Sequence, residues 1–486
     1  MSERVFERAN HRHGAIQDRI DQIWDDDIVP TLCDYITIPN VSEAFDPDWA
    51  ANGHMERAVT LIRDWCAARP IAGLIVDVQR VEGRTPLIVC EVPATDPALA
   101  DRTVLLYGHL DKQPEMTGWR EGLGPWTPVV EHDRLYGRGG ADDGYAAFAS
   151  LLAVEAAQAD GVRHGRLVLL VEASEESGSP DLPAHLDVLA GRIGSPELVI
   201  CLDSGCLDDR RLWATTSLRG LASIVLTVEV LTEGVHSGMA SGVAPSSFRI
   251  LRELLDRIED SATGRILLPA LHVEIPPDRR QEAEVTAAEV DRTVADGLPF
   301  AGRTRPMVDD PAEQLLAHTW HPTVSYIGID GLPPTGRAGN VLRPATSLAL
   351  SFRLPPTCDH EAALAQIRAT LLADPPGGAT VRVERADSAP GWNAPSFATW
   401  LTEALEEAST EAFGQPARTF GEGGTIPFMG MLGDMFPDAQ FVVTGVLGPG
   451  SNAHGPNEFL DLAAARKITT CIARLLGAHA ATPAPH

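Results

Sequence analysis

Val104-Leu105-Leu106-Tyr107-Gly108-His109-Leu110-Asp111 is the stretch whose reading settles the architecture. Four apolar residues in a row predict a strand buried on both faces, the kind found inside a parallel sheet. His109 and Asp111 follow at its carboxyl end, two residues apart. In extended chain such residues face the same way. That spacing suits an imidazole that binds a metal through one nitrogen while a carboxylate steadies the other. A lone His-x-Asp is common, so its weight depends on what surrounds it.

Outward from this stretch, strands are expected at Leu87–Val92, Leu167–Val171 and Leu198–Leu202. A helix is expected from just after Gly144 to about Ala159, with Phe148, Leu151 and Leu152 at helical spacing. Such alternation indicates an α/β sheet covered by helices. The pattern changes after about Trp213. Leu221–Val230 alternates as a half-exposed strand, and Ser246–Ile258 reads as an amphipathic helix on Phe248, Leu251, Leu254, Leu255 and Ile258. Residues 276–312, charged and Pro-rich, read as an excursion or long loop. Strands return at Thr323–Ile329 and Leu348–Leu354. From about Trp392 the α/β style resumes, with a helix over Phe397–Phe413 stopped by Gly414 and a strand over Gln440–Val446. The expected organisation is therefore a discontinuous larger domain, 1–213 and 388–486, interrupted by a smaller α+β domain at 214–387. The small, Pro-rich tail from Ala480 reads as frayed.

The 486 residues carry 67 acidic against 39 basic side chains, a formal charge of −28. Such a surface repels phosphate backbones, which argues against nucleic acid as a partner and favours solubility. Seven scattered cysteines form no Cys-x-x-Cys pair, consistent with reduced thiols in a cytoplasmic setting. The start, Met1-Ser2-Glu3-Arg4, is polar with no signal-peptide core, and no apolar run has membrane-spanning length.

The chemistry-bearing residues are His109, Asp111, Asp142, Glu175, Glu176, Asp203 and His454. His109, the Glu175-Glu176 pair, Asp203 and His454 each follow an expected strand, where ligands of α/β proteins gather. Asp142 lies in a Gly-rich turn, Tyr136-Gly137-Arg138-Gly139-Gly140-Ala141-Asp142-Asp143-Gly144. Its glycines let backbone bend and approach closely. Imidazoles and carboxylates without thiolates suit Zn²⁺, and also Mn²⁺ or Co²⁺. Two such ions about 3.5–4 Å apart would yield a hydroxide near neutral pH, with a neighbouring carboxylate to take its proton. Taken singly, each residue also fits a turn, a helix cap or a solvated pair; successive strand ends together argue for a site.

Five segments carry a resemblance: Gly108-His109-Leu110-Asp111; Leu135-Tyr136-Gly137-Arg138-Gly139 with Asp142-Asp143; Glu175-Glu176-Ser177-Gly178-Ser179; Cys201-Leu202-Asp203; and Ala453-His454-Gly455-Pro456-Asn457-Glu458. In this order they resemble the zinc-dependent exopeptidases: carnosinases, cytosolic non-specific dipeptidases, aminoacylases and the acetylornithine and succinyl-diaminopimelate deacylases, with the dipeptidase branch the nearest. The resemblance implies an α/β, mixed-sheet zinc-exopeptidase catalytic domain, phosphorylase/hydrolase-like, with an inserted smaller α+β lid or dimerisation domain, two divalent ions and a homodimer. By position, His109, Asp142 and Asp203 would hold one ion. Asp142, Glu176 and His454 would hold the other. Asp111 would orient His109, and Glu175 would act as general base and then acid. A cis peptide at Asp142–Asp143 is also implied.

In the inserted domain, Val235-His236-Ser237-Gly238 resembles the segment whose His stabilises the oxyanion, in dimeric members from the partner subunit. Asn340 resembles an accompanying polar contact. Arg353 matches the Arg that holds substrate carboxylate, and Gly424 and Thr425 lie in the loop that also receives it. The chain departs from dipeptidase relatives at Gly144-Tyr145, where they usually have Lys then Gly, and at Thr425, where Ser is common. The leading expectation is hydrolysis of the amide bond of dipeptides or short peptides. An N-acyl-amino-acid deacylase would use the same metals, and a metal-stabilised, non-catalytic interaction protein is the reading from a different class.

Overall fold

The structure, a computed structural model, describes residues 16–483. The polar start and the last three residues of the tail lie outside the described residues. The tail helix spans Leu462–Ala481, so Ala480 and Ala481 are helical rather than frayed. Packing divides the chain into two units. One runs to Thr216 and resumes over Ala394–Phe420 and from Leu432 onward; the other comprises Ser217–Asn393 and Gly421–Met431. The sequence places all of 388–486 in the larger domain, whereas packing groups Gly421–Met431 with the inserted residues.

The first unit is built on a mixed sheet. Thr103–His109 lies between Arg166–Glu172 and Pro196–Cys201, parallel to both, and Gln440–Val443 runs parallel to Pro196–Cys201. Leu87–Val92 and Ile75–Gln79 add antiparallel strands on the other side. The parallel strands are almost wholly buried, which explains why they read as unbroken apolar runs. The helix Ala146–Ala159 is buried on every side except near its C-terminus. Its seven alanines let neighbours approach from all directions, so no amphipathic stripe is needed. The Gln440–Val443 strand is shorter than expected and gives way to the loop that carries His454.

The second unit is a four-stranded antiparallel sheet in the order Thr323–Asp330, Ala345–Leu354, Gly220–Glu229, Thr380–Ala389. Ala345–Leu354 alternates buried and half-exposed residues, with Leu348, Leu350, Phe352 and Leu354 inward. These pack with the helices Ser247–Leu255 and His360–Leu372. Two expectations are corrected. Phe248 is exposed while Ile250 is buried, because the buried face follows Ile250, Leu251 and Leu254 at helical spacing. Residues 276–312 are not a plain loop: Pro277–Glu289 is a helix, and another begins at Pro311. The first has no sequence signature because its buried face consists of Arg279, Ala283 and Thr286, which carry no apolar period.

Candidate metal centre

Parallel strands share one direction, so their carboxyl ends meet along one edge of the sheet. His109 is the last residue of its strand. Glu175 and Glu176 form a single helical turn three residues past the neighbouring strand. Asp203 follows Pro196–Cys201 by two residues. Asp142 enters from the turn ahead of the Ala146–Ala159 helix, and the Asp142–Asp143 peptide is cis.

These side chains converge. The buried Nε2 of His109 lies 3.5 Å from Asp142 Oδ1, 3.8 Å from Asp203 Oδ2 and 3.9 Å from Glu175 Oε2. It makes no hydrogen bond to any of them. His454 Nε2 sits 2.9 Å from Asp142 Oδ2 and 3.2 Å from Glu176 Oε2. Asp142 thus faces His109 with one oxygen and His454 with the other. His109, Asp142 and Glu176 offer atoms within 4.8 Å of one another, as do His109, Glu175 and Asp203.

An orphaned buried ring nitrogen facing three carboxylates is unfavourable unless something cationic lies between them. The donors are all nitrogen and oxygen, the set that divalent Zn²⁺, Mn²⁺ or Co²⁺ accept. The residues present therefore fit a metal centre. Electrostatics agree. Burial alone would lower the His109 pKa, but the negative surroundings supplied by Asp111, Asp142 and Asp203 drive it well above the ordinary value, so the pocket attracts positive charge. Burial, then the charge of Asp203, raises the Glu175 carboxyl well above its usual range. Asp142 is held low: burial opposes its charge, but the two imidazoles outweigh it.

The supports of these groups were only partly foreseen. Asp111 sits 3.4 Å from His109 Nδ1, whose nearer contact is the Asp111 carbonyl at 3.1 Å. The Asp111 carboxylate also accepts the backbone N–H groups of Glu175, at 3.1 Å, and Glu176, at 3.0 Å. One carboxylate thereby positions the imidazole and the acidic turn together. Asp143, which sequence reasoning passed over, is buried and accepts the His109 N–H. Gln113 donates to Glu176 Oε2 at 2.7 Å. Both lie inside or beside the shared motifs, but nothing in their residue types marked them.

In the second unit, His236 pairs with Val341 across two short strands, and its Nδ1 accepts the Gly238 N–H. The Asn340 carbonyl accepts the Ser237 N–H at 2.9 Å, so its backbone braces the His236 turn. Arg353 donates to Thr425 Oγ1 at 2.8 Å. The Gly424 carbonyl accepts the Arg219 N–H. The buried Arg219 guanidinium is spent on the carbonyls of His318 and His321 and on Thr323 Oγ1. Among the described residues neither Arg219 nor Arg353 has an acidic partner. Burial, then the two guanidinium charges, pushes the nearby His318 down to about 4.

The model of peptidase family M20/M25/M40 matches residues 105–478. This chain belongs to that family. Among characterised relatives it is 28% identical over 373 residues to the cysteinylglycine-S-conjugate dipeptidase of Corynebacterium striatum, covering 74% of this chain and 77% of the relative. It is 26% identical over 392 residues to the Cys-Gly metallodipeptidase dug1 of Schizosaccharomyces pombe, covering 78% and 79%. In fold it resembles the Saccharomyces cerevisiae di-peptidase Dug1p, with a TM-score of 0.76 and 22% identity over 97% of this chain and 99% of that one. Human carnosine dipeptidase 1 superposes equally well, at 0.76 and 22%, covering 96% and 98%. The relatives in sequence are dipeptidases, while the likeness to the solved structures is one of fold.

Proposed function

We propose that this chain is a metal-dependent dipeptidase that hydrolyses the amide bond of dipeptides or short peptides. The observation that carries the reading is the orphaned His109 Nε2 aimed at Asp142, Glu175 and Asp203. Its context is a peptidase family whose similar members include dipeptidases. His109, Asp142 and Asp203 would hold one ion and Asp142, Glu176 and His454 the other, with Zn²⁺ first and Mn²⁺ or Co²⁺ as alternatives. Bound there, the ions would supply a water ionised near neutral pH and polarise the scissile carbonyl.

The protein's own groups do the rest. Glu175, its carboxyl raised by burial and by Asp203, suits a group that takes a proton from the attacking water and returns it to the leaving amine. Asp111 holds the Glu175 backbone in place. His236 would donate to the developing oxyanion. Arg353, braced by Thr425 and without an acidic partner among the described residues, would take the substrate carboxylate, with Gly424 and Asn340 as further substrate contacts.

A homodimer fits this picture. Thr323–Asp330 is an edge strand exposing Tyr326, Ile327 and Ile329, the kind of edge that proteins cover. All seven cysteines are free thiols, which accords with a cytoplasmic setting. Among the described residues no helix is long and apolar enough to cross a membrane.

The test is a panel of dipeptides beside their N-acetyl forms, assayed with Zn²⁺, Mn²⁺ or Co²⁺ and with bound metal counted by mass spectrometry. Cleavage of free dipeptides only, with about two ions per chain, is expected. Cleavage of N-acyl compounds alone would make the protein a deacylase. No metal and no turnover would leave the interaction-protein reading.

A further inference from the structure

Arg138 and Glu458 lie in segments shared with the peptidase family, yet neither residue has a place in the chemistry proposed for the centre. Both are buried, Arg138 at 1% exposure and Glu458 at 0%. Arg138 Nη1 pairs with Glu458 Oε2. The remaining guanidinium donors reach Gly455 O at 3.0 Å and Pro114 O at 3.3 Å. Glu458 Oε1 accepts the Gly139 N–H at 2.8 Å, and its carbonyl accepts the Gly137 N–H. One ion pair therefore ties three segments together. The first is the Gly137–Gly140 turn that leads into Asp142. The second is the loop that carries His454. The third is the stretch at Gln113-Pro114, whose Gln113 donates to Glu176.

The His454 loop has reason to need such a tie. Asn452, His454 and Asn457 all hold positive φ, at +55°, +63° and +62°. That conformation is uncommon for any residue with a side chain and persists where surroundings enforce it. His454 itself is 56% exposed, so little packing fixes its ring. Its backbone is pinned instead one residue on, at Gly455 by Arg138, and four residues on, at Glu458. A buried ion pair adds little net stability over an apolar pair of similar volume. What it supplies here is a fixed distance between two loops.

We propose that the Arg138–Glu458 pair is the positioning element of the metal centre, setting His454 against Asp142 and Glu176 so that the second ion can be held. Neither Arg138 nor Glu458 hydrogen-bonds to a proposed ligand; their partners are each other and backbone groups. The inference rests on the metal-centre reading of the proposed function.

The test is Mn²⁺ binding to the full chain after chelator treatment, followed by electron paramagnetic resonance. Wild type, Glu458→Gln, Arg138→Lys and the double variant Arg138→Met/Glu458→Gln are compared. The double variant removes both buried charges at once and so keeps the fold testable if a single variant fails. Wild type is expected to bind two ions with the signal of a coupled pair. The variants should keep one ion at wild-type affinity and bind the other about 10–100-fold more weakly, with the coupled signal replaced by that of isolated Mn²⁺. For a cleaved dipeptide kcat should fall while KM holds, because the Arg353 site is untouched. Wild-type affinity for both ions in the variants would overturn the proposal. So would equal weakening of both ions with a lower unfolding temperature of the metal-free protein, which marks a merely structural pair. A wild type that binds no second ion would remove the metal reading itself, and the inference with it.

Discussion

Glu175 and Glu172 show how two acidic residues on one short segment take different parts. Glu175 faces His109 from a turn held by Asp111. Replacing it with Gln keeps its size but removes the basic oxygen. Turnover should fall by about 10²–10⁴-fold while metal content stays at the wild-type level. A variant within a few-fold of wild-type kcat would strip Glu175 of the role proposed for it. Glu172 lies beneath that turn, accepting from Tyr107, from Ser179 at 2.9 Å and from Ser174 at 3.1 Å. Burial raises its pKa from 4.5 to about 7. A carboxyl raised on folding binds its proton more tightly in the native state. Its contribution to stability is therefore present below the unfolded value and is lost as pH rises through the folded one. The stability of wild type relative to Glu172→Gln should decline between about pH 5 and about pH 8, as read by urea unfolding at each pH. Parallel curves would show that Glu172 is already ionised in the fold. The residues proposed as ligands stand out in the sequence because few other roles demand His and acid at successive strand ends. The double duty of Asp111 does not, because backbone N–H acceptance leaves no mark on residue type.

Elements bring those residues into reach, and small residues decide how closely. Gly108 sits where the Thr103–His109 strand meets the start of the Ala146–Ala159 helix. A Cβ there would stand 2.6 Å from Ala146 Cβ and 2.8 Å from Asp143 Oδ2. Gly108→Ala should therefore cost about 1–3 kcal/mol in chemical unfolding, the range for overpacking, and displace the His109 support as well. A change below about 0.5 kcal/mol, the ordinary range for unconstrained surface sites, would show that the helix can yield. Strands and helices with a strong period were readable: Leu87–Val92 matches its expected span, Ala345–Leu354 extends it, and Thr399–Phe413 begins two residues later than expected. The Pro277–Glu289 helix was not, because it buries an arginine, an alanine and a threonine rather than an apolar stripe.

At the scale of the molecule, the exposed edge strand Thr323–Asp330 is the feature that asks for a second copy. Ile327 is 65% exposed and Ile329 47%. The wild-type chain should run as a dimer in light scattering, and Ile327→Lys with Ile329→Lys should shift it toward monomer without lowering the unfolding temperature of the first unit. A monomeric wild type at working concentration would end the dimer reading. The sequence changes patterning near Trp213 and again near Trp392, and packing divides the chain at Thr216/Ser217 and at Asn393/Ala394. The allegiance of Gly421–Met431 was not visible in the sequence, because a short Gly-rich loop has no period of its own and joins whichever core it packs on.

The sequence by itself determined the α/β architecture and pointed to the residues proposed for the centre. Unbroken apolar runs alternating with helices form buried parallel strands, and their shared direction puts the residues just past their ends on one edge. Only the tertiary structure decided which atoms face one another. Asp142 spans two imidazoles, Asp111 anchors a turn rather than a ring alone, and Arg138 reaches Glu458 across 320 residues of chain. Those are long-range distances, and distances between segments far apart in sequence are set by packing rather than by any local pattern.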